Sequence, residues 1–97
     1  MPTYISLIRY TEKGLDAIKD GPKRLDAGKK AFQEQGGTVK AFYLTMGQYD
    51  AVLIGEAPND ETVARLALSI GSQGFIRTET LRAFTEDEFR KLVAAIP

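Results

Sequence analysis

Two β-rich runs, Thr38 to Met46 and Tyr49 to Ala57, stand on either side of Gly47-Gln48, and this spacing constrains the chain more than any other feature. A two-residue connection with glycine at its first central position fits a type II′ turn, so the runs are expected to pair as an antiparallel hairpin. In that register Phe42, Leu44 and Met46 share one face with Tyr49, Ala51 and Leu53. Tyr43 and Thr45 share the other with Asp50, Val52 and Ile54, because side chains alternate along a strand. Both faces carry apolar groups, so a sheet built on this hairpin needs cover on two sides.

The flanking segments supply a sheet and part of that cover. Thr3 to Tyr10 is rich in β-branched and aromatic residues and stops at Thr11, which can cap a helix start. The stretch from there to Gln35 is helical in character, but Asp20-Gly21-Pro22 breaks it into a short first helix and a longer second one. Gly36-Gly37 is a left-handed stop. Leu25, Gly28 and Phe32 share a face of the second helix. A mid-helix glycine costs about 1 kcal/mol relative to alanine, so Gly28 is expected to mark a close approach of backbone to the sheet. After Pro58-Asn59-Asp60, the apolar residues Val63, Leu66, Ala67 and Ile70 recur at helical spacing until Gly71. Phe75 to Phe84 reads as a fourth strand, and its Arg77, Glu79 and Arg82 suit a sheet edge. Thr85 and Glu88 form a capping box, Phe84 and Phe89 hold the staple positions, and Leu92, Val93 and Ile96 extend the face that Phe89 begins.

The order β-α-β-β-α-β with an added C-terminal helix is the split βαβ pattern of an α+β, ferredoxin-like sheet, expected as one domain over residues 1–97. Its two crossover helices lie on one side. Large apolar groups on the second face, left in water, would each forgo roughly 1.5 to 3 kcal/mol. Either the terminal helix folds back over them, or a second copy packs sheet against sheet about a two-fold axis, and the second is the expectation here.

Composition removes several classes of function. Thirteen Lys and Arg balance thirteen Asp and Glu, so no excess positive field draws in nucleic acid or an anionic membrane surface. Without Cys or His there is no thiolate nucleophile, no disulfide, no thiolate or imidazole metal ligand and no imidazole base. No cofactor and no metal site is therefore expected. The amino terminus lacks a basic n-region and a long apolar stretch, and no window reaches the roughly 20 apolar residues of a membrane span. A cytoplasmic location is the expectation.

Three separated segments carry a family resemblance. Tyr4-Ile5-Ser6-Leu7, the hairpin string Phe42-Tyr43-Leu44-Thr45-Met46-Gly47-Gln48-Tyr49-Asp50, and Arg77-Thr78-Glu79-Thr80-Leu81 together resemble the GYD-domain proteins. Gln48 stands between the glycine and the tyrosine of the name-giving motif, Gly47, Tyr49 and Asp50. The resemblance implies a dimeric α/β barrel and membership of a broad group that includes small oxygenases, isomerases, haem enzymes and ligand-sensing domains. It implies no particular activity, and function stays unknown at this level.

The candidate site residues follow from side-chain chemistry. Tyr43 and Tyr49, with Tyr4 and Tyr10, combine apolar bodies with hydroxyl handles that suit a flat or aromatic ligand, although packing alone also accounts for them. Asp50 beside an apolar cavity would have its pKa raised and could serve as a general acid or base, but in a turn it would simply bond nearby backbone. Arg77 and Glu79 point to the same face and could hold a ligand between them, pair with each other, or pair across a subunit seam. Arg9 is an anion-binding candidate by residue type. Gly71-Ser72-Gln73-Gly74 lacks the lysine of a phosphate loop and follows a helix, and Glu86-Asp87-Glu88 answers the positive end of the last helix. The expected partners are thus another copy of the chain and a small molecule bound by Tyr43, Tyr49, Asp50, Arg77 and Glu79. The alternative is a cofactor-independent oxygenase or isomerase with Asp50, Glu79 or a tyrosine hydroxyl as proton carrier.

Overall fold

The computed structural model describes residues 1–97 as a four-stranded antiparallel sheet with its long helices on one side. The elements are β1 (Thr3–Tyr10), α1 (Glu12–Asp16), a 3₁₀ turn (Ile18–Asp20), α2 (Gly21–Glu34), β2 (Thr38–Leu44), β3 (Ala51–Glu56), α3 (Asp60–Ser72), β4 (Ile76–Ala83) and α4 (Glu86–Ala94). Strand order is β2-β3-β1-β4, the ferredoxin-like arrangement that the element order predicts. Its start and stop signals are local. The Asn59 side chain accepts from the Thr62 amide to cap α3, Pro22 sits in the first turn of α2, and Gly36 takes a φ of +85° after it. Gly71 does not end α3. The helix runs to Ser72, and the left-handed residue is Gly74, at φ +82°.

Next to the turn the hairpin keeps its expected register with a longer connection, and the register shifts by one residue between Val39 and Ala41. Leu44 faces Ala51 and Phe42 faces Leu53, but the strands stop there and residues 45 to 50 form the link. Gly47 takes a φ of +112° within it, a conformation open to glycine at little cost. The Thr45 amide donates to the Asp50 carbonyl at 2.8 Å and the Thr45 hydroxyl donates to the Tyr49 carbonyl at 2.6 Å. Asp50 then turns inward to β1: its amide donates to the Ile8 carbonyl at 2.8 Å, and its carboxylate accepts from the Tyr10 amide at 2.9 Å. The link leaves regular pleating, which carries Tyr49 to the opposite face from the one strict alternation assigns.

The core fills one end of the gap between sheet and helices. Tyr4, Phe32, Ala57, Val63 and Leu66 form it, with Ala31, Val39 and Leu53 packed alongside. Phe32 rests where Gly37 and Gly55 present no side chain; a Cβ at either would stand 3.2 or 3.1 Å from its ring. Gly14 shows the close approach expected elsewhere, since a Cβ there would collide with the Phe75 carbonyl oxygen. Gly28 does not: a Cβ on it would meet nothing within 4 Å. The helix-side glycine expected to tighten the packing opens a space instead.

Tyr4 ties β1 to the start of α3, its buried hydroxyl donating to the Asp60 carboxylate. Burial first, and then this bond, push its pKa from 10.0 up to about 12. Between those values the unfolded chain has released the proton and the folded chain still holds it, so stability should fall as pH climbs through that window. Urea midpoints taken from pH 9 to 11.5 should decline, and the decline should flatten in Tyr4→Phe. That variant should also lose about 1 kcal/mol at neutral pH with the bond.

The sheet's other face is uncovered. Ile5, Leu7, Val52, Ile54 and Leu81 point away from α2 and α3, as their positions in the three ladders require. The terminal helix does not fold back over them. α4 has the capping box read from sequence, with Thr85 and Glu88 exchanging bonds of 2.8 and 3.2 Å, yet none of its residues is buried. Phe89 is 60% and Ile96 68% exposed. The protomer is accordingly long and thin, 52 × 31 × 18 Å. No helix is long and apolar enough to cross a membrane.

Candidate functional site

The gap between sheet and helices that the core leaves unfilled is a cleft of about 530 Å³, within the range of small-molecule sites. Its cause is the size of the side chains that face it. Ala27, Gly28 and Ala31 on α2 and Ala67 on α3 are too small to reach across to β1 and β4. The floor combines apolar and hydroxyl groups: Ile8, Leu53 and Ile76 lie among Ser6, Thr78 and Thr80. Ser6 and Thr80 face each other across β1 and β4 with their hydroxyl oxygens 3.3 Å apart. Leu44, 72% exposed, closes the hairpin side, and Phe75 lies at the foot of β4.

No acidic residue lines the cleft, and Arg24 is its one charged lining group. The Arg24 guanidinium lies 4.2 Å from the centre of the Phe75 ring and donates one bond of 2.8 Å to the Ala17 carbonyl. The chain's two ion pairs are Lys40–Glu56 and Arg90–Glu86, so Arg24 has no carboxylate partner. Lys13, on α1, flanks the same ring, its ammonium 4.4 Å from the ring centre and 2.9 Å from the Gln73 carbonyl.

The residues singled out from sequence gather elsewhere. Tyr43, Tyr49, Arg77 and Glu79 stand on the open face, and none of them, nor Asp50, lines the cleft. Tyr49 donates its hydroxyl to the Glu79 carboxylate at 3.0 Å, which raises the phenol's pKa, and Arg9 lies 4.9 Å from its ring centre. Arg9 and Arg77 face each other across β1 and β4, both exposed and both without an acidic partner. Asp50 is engaged by the Tyr10 amide at the end of β1. Tyr10 lines the cleft while Tyr4 is buried in the core. Glu86, Asp87 and Glu88 occupy the first turn of α4, where the Glu88 carboxyl is held below its usual range by its bond from the Thr85 amide.

None of the cleft residues Arg24, Gly28, Leu44, Phe75 and Thr78 is a candidate site residue from sequence, and Gly28 stands out there only as a packing position. A signal for them exists in the run of small residues, Ala27, Gly28 and Ala31, on the sheet-facing side of α2. Read as close packing, it hides a void.

Comparison with known proteins bears on the whole chain. The family model for the GYD domain matches residues 4–93. A protein of Thermus thermophilus named "Glutamine synthetase and cystathionine beta-lyase binding protein" is 36% identical over 84 residues, spanning 86% of this chain and 88% of that relative. A crystal structure of a Thermus thermophilus protein superposes with a TM-score of 0.55 at 29% identity, covering 88% of this chain and 95% of the other. With its ferredoxin-like strand order, its Gly47-to-Asp50 link and this match along nearly its full length, the chain belongs to the GYD-domain family.

Proposed function

We propose that the chain is a homo-oligomeric binding module whose protomers pair through the open sheet face, and that it takes up a small molecule beneath the opposite face. The observation that carries this reading is the unpartnered layer of Ile5, Leu7, Val52, Ile54 and Leu81, together with an α4 that buries none of its apolar residues. A monomer would leave all of this in water at a cost of several kcal/mol, comparable with the net stability of a small domain. Two four-stranded sheets meeting about a two-fold axis would bury it and build the dimeric barrel. Arg9 and Arg77 stand side by side on this face and Glu79 lies on it as well, so both signs of charge are available for pairing across a seam.

A protein partner is the second reading, favoured by the Thermus relative's name, which records binding to two enzymes. An apolar surface that pairs copies of a small domain suits such a role, as does the bare face of α4. Turnover has less support. The candidate proton carriers are Asp50, which is engaged by the Tyr10 amide, and Glu79, which is exposed and holds the Tyr49 hydroxyl. Neither borders the cleft where a reaction could be kept from water.

Sedimentation equilibrium at micromolar protein should return at least twice the 10.7 kDa protomer mass. A stable, compact single copy at that concentration would overturn the reading.

A further inference from the structure

We infer that the cleft between α2, α3 and the sheet takes a monocarboxylate with an apolar body, its tail over the Leu53, Leu66 and Ile70 side chains and its carboxylate toward Arg24. The inference rests on the small-molecule half of the reading above and deepens it. Size and lining admit a drug-sized apolar molecule, and polarity then selects the class. A cleft with one cationic lining group and no acidic one favours a single negative charge. Arg24 is half-buried, and its position is fixed by the Ala17 carbonyl and the Phe75 ring, which together leave most of its five N–H donors unused. A planar guanidinium with free donors is suited to a carboxylate, which it binds through two parallel bonds. Lys13 adds positive potential from the far side of Phe75. The Ser6 and Thr80 hydroxyls, bonded at a long 3.3 Å, keep capacity for a second polar atom along the ligand.

Gly28 gives the cleft its depth and provides the control. Gly28 lines the cleft and a Cβ there meets nothing within 4 Å, so a side chain can be added at this position to compete with a ligand for the space. Replacing glycine inside a helix also favours the helix.

The test titrates full-length protein with sodium octanoate and with 1-octanol by isothermal calorimetry, for the unaltered chain, Arg24→Gln and Gly28→Leu. Octanoate should bind more tightly than octanol, and Arg24→Gln should weaken octanoate about tenfold or more while leaving octanol unchanged. Gly28→Leu should lose both ligands with a thermal midpoint no lower than that of the unaltered chain. Octanol binding as tightly as octanoate, with Arg24→Gln silent, overturns the carboxylate assignment and leaves the cleft as a site for neutral apolar molecules. Failure of both ligands overturns the small-molecule reading with it. Should Gly28→Leu fail to fold, the octanoate-to-octanol ratio in Arg24→Gln decides alone.

Discussion

Ile5→Glu is expected to convert the proposed oligomer to monomer while leaving each protomer folded. Ile5 occupies the middle of the open face, with Ile54 on one side of it in the β1–β3 ladder and Leu81 on the other in the β1–β4 ladder. In a single protomer that face meets water, so the glutamate is solvated and costs little. In a paired assembly it is buried against another apolar sheet. Each copy forfeits roughly 1.5 to 3 kcal/mol of apolar burial, and two-fold symmetry counts the loss twice. The dissociation constant should therefore rise by about a hundredfold or more, before any penalty for the unpaired charge is added. Leu68→Glu is the matched control. Leu68 is 75% exposed on the helix side, so the same chemical change there should leave the assembly intact. Light scattering over a dilution series reads both. An Ile5→Glu protein that keeps the parent's mass at every concentration would remove the open face as the seam.

The second large effect is on stability. Phe32→Ala should lower the unfolding free energy by about 3 to 5 kcal/mol, a large part of what a domain this size possesses. Phe32 is the largest side chain of the core cluster after Tyr4, and it is seated against the backbone of Gly37 and Gly55. That seat cannot collapse onto the truncated residue, because glycine has no side chain to advance into the space. The cavity term should therefore add to the lost transfer energy. Phe32 also lines the cleft, so the variant should bind octanoate more weakly than its residual folded fraction explains. Urea denaturation measures the stability change, and a shift below about 1 kcal/mol would show that the core lies elsewhere.

Elements with strong end signals are the ones the sequence specifies closely. α4 is capped by Thr85 and Glu88 as their spacing of three predicts, and β1 covers Thr3 to Tyr10 without adjustment. α2 starts at Gly21-Pro22 and stops before a left-handed Gly36. The hairpin register from Ala41 to Leu44 is readable too, since alternation fixes which residues can face each other, whereas the shift between Val39 and Ala41 carries no such signal. Tyr49 shows where alternation stops applying. Thr45 and Asp50 spend their hydrogen bonds on turning the link and pinning it to β1, and the tyrosine between them is free to cross to the open face. Gly28 shows a different failure. A small residue on a buried helix face has two explanations, contact or vacancy, and both predict the same letter.

The order of strands and helices, their caps and stops, and the presence of apolar side chains on both faces of the sheet were determined by the sequence alone, because each depends on bonds and periodicities spanning only a few residues. Where the unfilled volume lies was decided by tertiary structure. Its position depends on how far Phe32, Val63 and Leu66 hold two helices from a sheet, and on whether Ala27, Gly28, Ala31 and Ala67 beside them can span that distance. Such a gap is the difference between a spacing set by one group of side chains and the reach of another, and no single segment of the chain contains both.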